Sequence, residues 1–89
     1  MALDGAEPRV LIIDDQIFIL EALVFQLEAE SIPCAKCESG YDAIKLLHEL
    51  IKQDKPLFDV ILTDFSMPGM SGPDTAIRIR AIYEEVGRG

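Results

Sequence analysis

The segment Arg9 to Asp14 (RVLIID) places four apolar residues in succession, three of them β-branched. An apolar run with no polar alternation suits a strand covered on both faces. The stretch from Gln16 to Glu30 contains neither Gly nor Pro, and Ile17, Leu20, Leu23, Val24 and Leu27 recur at helical spacing. That period predicts a helix with one buried stripe. Ile32 to Glu38 is a weaker strand candidate, because Pro33 belongs at a sheet edge or at a first strand position. Ser39 is placed as a helix N-cap, with Asp42 three residues on as a partial capping box. Ile44, Leu47, Leu50 and Ile51 then mark a second buried helical stripe, which Pro56 is expected to stop. Phe58 to Asp64 (FDVILTD) predicts a second strongly buried strand. A loop rich in Pro and Gly follows, from Ser66 to Gly72, and Ser71 with Asp74 resembles another cap. Pro73 is tolerated in a first helical turn. Ile79, Ile82, Tyr83 and Val86 carry a last helix, with Gly87 suited to its C-terminal end.

The order is β-α-β-α-β-α, without repeats or low-complexity tracts. Strands alternating with helices imply a parallel sheet with right-handed crossovers. With the two most apolar strands adjacent and the Pro-bearing strand at an edge, the expected strand order is 2-1-3. At 89 residues the chain is one domain or less, read as a short tail over 1–8 and a folded part over 9–89. A domain of this size buries only ~60% of its unfolded surface and is marginal alone.

Charge narrows the function classes. The net charge is −8, and the eight Lys and Arg residues form no patch. Such a chain repels phosphate backbones, so direct nucleic-acid binding by this segment is not expected. No apolar run approaches the ~20 residues of a membrane span. The acidic N-terminus lacks the basic start and apolar stretch of a signal peptide. The expected setting is soluble and intracellular. Cys34 and Cys37 form a C-x-x-C spacing. On a strand, positions i and i+3 face opposite ways, which disfavours a bridge between them. Zinc would need four ligands, and only His48 could add a nitrogen.

The candidate chemistry lies in three carboxylates. Asp14 and Asp15 end the first strand and Asp64 ends the third. In a parallel sheet all strand C-terminal ends lie on one edge, where ligands bind. Neighbouring strands are about 4.8 Å apart, so the three acids should converge. Close carboxylates repel one another unless a cation compensates them. All-oxygen ligands favour Mg²⁺, Mn²⁺ or Ca²⁺, and few protein ligands with room for water favour Mg²⁺. Acids at strand ends are also frequent helix caps, which Asp14 or Asp15 could be. A carboxylate beside such a cation can attack a phosphoryl group and form an acyl phosphate. Asp64 fits the acceptor role and Asp15 the second ligand. Asp14 either binds through water or sets the local field, and the Ser66 backbone carbonyl is placed to add a further oxygen.

LIIDDQ followed by FDVILTDFSMPGMSG resembles the receiver domains of two-component response regulators and hybrid histidine kinases, over Arg9 to about Val86. The resemblance implies a flavodoxin-like, three-layer parallel fold. It implies Asp64 as the phosphoacceptor, Asp14 and Asp15 as the acidic pair, Mg²⁺ bound with the Ser66 carbonyl, and Pro68, Gly69 and Gly72 as the loop into the third helix. It also implies a phosphohistidine donor on a histidine kinase or a histidine-containing phosphotransfer domain. A receiver usually has five strands. The sequence departs from that pattern by stopping after the third helix, so the fourth and fifth strands, with their hydroxyl residue and Lys, have no counterpart. The third strand should then be an exposed apolar edge.

Phe18, Ala22 and Phe25 lie off the core stripe of the first helix. They suit packing against a larger protein, or docking of a partner helix beside Asp64 through Phe18 and Ala22. Two further readings compete. A phosphohydrolase turning over through aspartyl phosphate usually carries D-x-D, and here position 66 is Ser and position 16 is Gln. The other is a truncated, non-switching receiver that acts as a protein-interaction module.

Overall fold

The computed structural model describes residues 8–87. Apart from Pro8, the tail assigned to 1–8 lies outside the described residues, as do positions 88 and 89. The elements run β1 (Val10–Ile13), α1 (Ile17–Ala29), β2 (Cys34–Cys37), α2 (Gly40–Lys52), β3 (Val60–Thr63) and α3 (Gly72–Glu85). The three strands form one parallel sheet in the order β2-β1-β3, as the apolar runs predict. The register sets Val10 beside both Cys34 and Val60, and Ile13 beside both Cys37 and Thr63.

Alternation along β1 divides the core. Leu11 and Ile13 join Cys37, Ala43, Leu47, Phe58, Ile79 and Ile82 in one cluster with α2 and α3. Ile12 points the other way, toward the face covered by α1, whose one fully buried residue is Leu20. The result is three layers, with α1 on one face and α2 and α3 on the other. Met67 and Met70, from the loop after β3, are buried and anchor that loop.

Ser39 and Ser71 cap α2 and α3, their hydroxyls accepting from the amides of Asp42 (3.0 Å) and Asp74 (3.2 Å). Pro73 occupies the first turn of α3. Tyr83, in the last turn of α3, reaches back to the start of β3. Its hydroxyl donates to the Phe58 carbonyl (2.9 Å) and accepts from the Phe58 amide (3.0 Å).

Three expectations need correction. β3 is not buried on both faces: Val60 and Leu62 are 49% and 44% exposed. The reason is coverage, since α1 packs chiefly over β1 and β2 and leaves β3 largely open. Ile17, assigned to the buried stripe of α1, is exposed in the first turn. Pro56 does not end α2, which stops at Lys52. There Asp54 adopts φ +57, and the amides of Asp54 and Lys55 bond back to the carbonyls of Ile51 and Leu50. This is a paired C-terminal cap built on a left-handed residue. α1 ends the same way on Ser31, at φ +63.

Candidate functional site

β1 and β3 deliver the acids to one edge. The ladder continues one residue past each strand. The Asp64 amide donates to the Ile13 carbonyl (2.9 Å) and the Asp14 amide to the Cys37 carbonyl (3.1 Å). Both aspartates therefore start from fixed backbone. Side-chain oxygens of Asp14, Asp15 and Asp64 come within 4.8 Å of one another. Asp14 is only 8% exposed.

Neither Asp14 nor Asp15 caps α1, whose N-cap is Gln16 without a side-chain cap hydrogen bond. Asp14 instead makes a local turn just before the helix, its Oδ1 accepting from the Gln16 amide (2.9 Å). Asp64 Oδ1 accepts from the amide of its neighbour Phe65 (2.9 Å). The Oδ2 atoms of Asp14 and Asp64 have no hydrogen-bond partner among the described residues. Side-chain ion pairs among the described residues join Arg9 to Asp59 and Lys36 to Glu21, and neither involves these acids. Three converging carboxylates with no cationic side chain between them form a donor set that can hold a hard cation.

Ser66 is exposed on the loop two residues past Asp64. Gly69 adopts φ +83, with the Tyr41 ring against its Cα. Gly72 lies directly against the Asp64 peptide, and its amide donates to the Phe65 carbonyl (2.8 Å). Phe65, directly after Asp64, is 75% exposed, and Phe18, in the first turn of α1, is 90% exposed. Phe18 stands out in the sequence as an apolar position off the helix stripe, whereas for Phe65 the available signal is an aromatic residue directly after a strand-terminal acid.

The two cysteines are unbridged. Cys37 lies in the core cluster and Cys34 belongs to the opposite face, as the strand parity requires. Burial pushes the Cys37 thiol up to about 11, with a smaller contribution from Asp42. Among the described residues the one cluster suited to a metal is the aspartate trio, and neither cysteine belongs to it.

A parallel α/β sheet with a converging acidic trio at its C-terminal edge places the chain in the doubly wound class, in which ligands bind at the carboxyl ends of the strands. The family model for the response regulator receiver domain matches residues 10–87, and the chain belongs to that family. It is 38% identical over 81 residues to the virulence sensor protein BvgS of Bordetella bronchiseptica, covering 91% of this chain and 6% of that protein. It is 32% identical over 79 residues to the DNA-binding response regulator MtrA of Mycobacterium tuberculosis, covering 89% of this chain and 32% of that protein. A receiver domain protein from Clostridium thermocellum superposes with TM-score 0.74 at 28% identity, over 88% of this chain and 59% of that one. A receiver protein from Pseudomonas putida gives 0.72 at 30% identity, over 86% and 60%. The chain thus spans a small part of the curated relatives and about three fifths of the solved structures it matches.

Proposed function

We propose that this receiver accepts a phosphoryl group on Asp64 from a phosphohistidine, on a histidine kinase or a histidine-containing phosphotransfer domain, in a cytoplasmic phosphorelay. The observation that carries this reading is the convergence of Asp14, Asp15 and Asp64 within 4.8 Å at the ligand-binding edge of the sheet.

Asp64 Oδ1 is occupied by the Phe65 amide, which leaves Oδ2 as the nucleophile. Oδ2 attacks phosphorus, and an O–P bond forms as the N–P bond of the donor breaks. The imidazole nitrogen takes back the bonding pair and gains a proton from solvent. The product is a 4-aspartylphosphate. Mg²⁺ is the ion the donor set fits; Asp14, Asp15 and Asp64 would hold it, with the Ser66 backbone carbonyl as a further oxygen. When bound it neutralises charge on the phosphoryl oxygens and on the acids. The chain acts as a stoichiometric acceptor and not as an enzyme with turnover.

The test is incubation with Mg²⁺ and a small phosphodonor such as acetyl phosphate, followed by intact mass. One phosphoryl increment is expected on the wild type and none on Asp64→Ala or on chelated protein. No increment with any donor would leave a contact-only receiver as the better account, and release of phosphate over many turnovers would indicate a hydrolase. The exposed Phe18, with Ala22 one turn on, supplies an apolar contact for the donor helix beside the acids. Phe18→Ser is expected to slow transfer from a phosphohistidine protein while leaving uptake from acetyl phosphate unchanged. Equal loss with both donors would remove the docking role.

A further inference from the structure

We infer that Gly72 is a positioning residue for the acceptor: its missing side chain lets the loop after β3 close onto Asp64 and hold Phe65 so that the Phe65 amide fixes one carboxylate oxygen. For its chemistry this rests on the reading of Asp64 as phosphoacceptor.

The contacts are between backbone groups. A Cβ on Gly72 would lie 2.1 Å from the Asp64 carbonyl oxygen, 2.9 Å from Phe65 Cα and 3.0 Å from the Asp64 carbonyl carbon. None of these atoms can rotate aside. The other described glycines are different. At Gly40 the obstacles are the side chains of Thr75 and Met70, at Gly69 the Tyr41 ring, and at Gly87 nothing lies within 4 Å.

The close approach allows the Gly72 amide to donate to the Phe65 carbonyl (2.8 Å). Phe65 is thereby held at both ends of its backbone, by Gly72 at the carbonyl and by Asp64 Oδ1 at the amide (2.9 Å). Its side chain does little to hold it, being mostly exposed. The two carboxylate oxygens of Asp64 become inequivalent, one fixed and one free to react. Displacement at phosphorus needs the attacking oxygen in line, and a misplacement of about 1 Å costs on the order of 10²-fold in rate.

A plain helix-start role for Gly72 makes the opposite prediction. Gly72 has no left-handed φ, and helix propensity favours Ala over Gly. Gly72→Ala would then be neutral or stabilising, with no effect on Asp64.

Amide hydrogen exchange by NMR on the full chain separates these accounts. In the wild type the Phe65 amide is expected to exchange more slowly than that of its exposed neighbour Ser66. Asp64→Ala should release the Phe65 amide and leave Gly72 protected. Gly72→Ala should release both, keep protection at Leu11, Ile12 and Ile13, and slow uptake from acetyl phosphate with Mg²⁺ by about 10²-fold. Tyr83→Phe, which weakens the fold at the far end of β3, should leave uptake unchanged. A wild-type Phe65 amide as fast as Ser66, or a Gly72→Ala chain with wild-type uptake, overturns the proposal. A Gly72→Ala chain that also loses protection in β1 overturns it as well, because Gly72 would then support the whole fold and not the acceptor in particular. A wild type that shows the expected amide pattern but takes up no phosphate upholds the positioning and removes the phosphoacceptor reading.

Discussion

Cys34 and Cys37 show how much one strand can separate two like side chains. Cys37 is packed among Leu11, Ile13, Ala43 and Leu47, whereas Cys34 is only partly covered. Desolvation raises both thiols, Cys37 to about 11. The thiolate is the reactive form. At pH 8, iodoacetamide followed by peptide mass mapping should therefore label Cys34 well before Cys37. The same shift has a stability consequence. A thiol whose folded pKa lies above its unfolded value of 9.0 contributes stability that is intact below pH 9 and is lost as pH rises toward 11. Urea midpoints should fall between pH 9 and 11 in the wild type, and less steeply in Cys37→Ala. Equal slopes would mean that Cys37 is better solvated than its packing indicates.

Among the elements, the helix ends carry strain that can be relieved. Ser31 and Asp54 hold left-handed backbone after α1 and α2, where residues with a Cβ are disfavoured by roughly 1 kcal/mol or more relative to Gly. Ser31→Gly keeps the two closing hydrogen bonds and should raise stability by about 0.5–1 kcal/mol, read as a higher urea midpoint at unchanged slope. These ends also mark where sequence reading stops. The starts of α2 and α3 were legible because Ser39 and Ser71 are side-chain caps with a fixed offset to Asp42 and Asp74. The C-terminal caps are made by backbone alone on residues that advertise nothing, so Pro56 looked like the stop signal. Strand order and the acidic trio were legible because apolar runs and strand-terminal acids are local patterns. The open face of β3 was not, since VILT has the same composition whether or not a helix reaches it. The clamp of Gly72 on Phe65 was equally hidden, because it depends on how closely the loop returns.

On the scale of the whole molecule, the two edges of the sheet differ. The β2 edge begins at Pro33 and carries Lys36, both of which discourage further pairing. The β3 edge has neither, and Val60 and Leu62 add an open apolar face, with Leu62 beside a groove lined by Leu23 and Leu27 of α1. Contact between copies through β3 is opposed by the net charge of −8, and salt screens that repulsion. Light scattering should therefore show self-association that grows with added salt. Val60→Lys, at the end of β3 away from Asp64, should suppress it without changing phosphate uptake. Salt-independent monomers of the wild type would show that the open face is not adhesive.

No helix among the described residues is long and apolar enough to cross a membrane. The double hydrogen bond from Tyr83 to Phe58 has a consequence for direction. It returns the end of α3 to Phe58, two residues before β3, so the helix has already retraced the length of the sheet by Val86. That point lies at the foot of the β3 edge, which pairs with no further strand among the described residues. A strand laid there would run the same way as the other three, with α3 as its crossover. The phenol thus fixes the end of β3 to which α3 returns, while the hand of the crossover sets the side on which a parallel neighbour could pair.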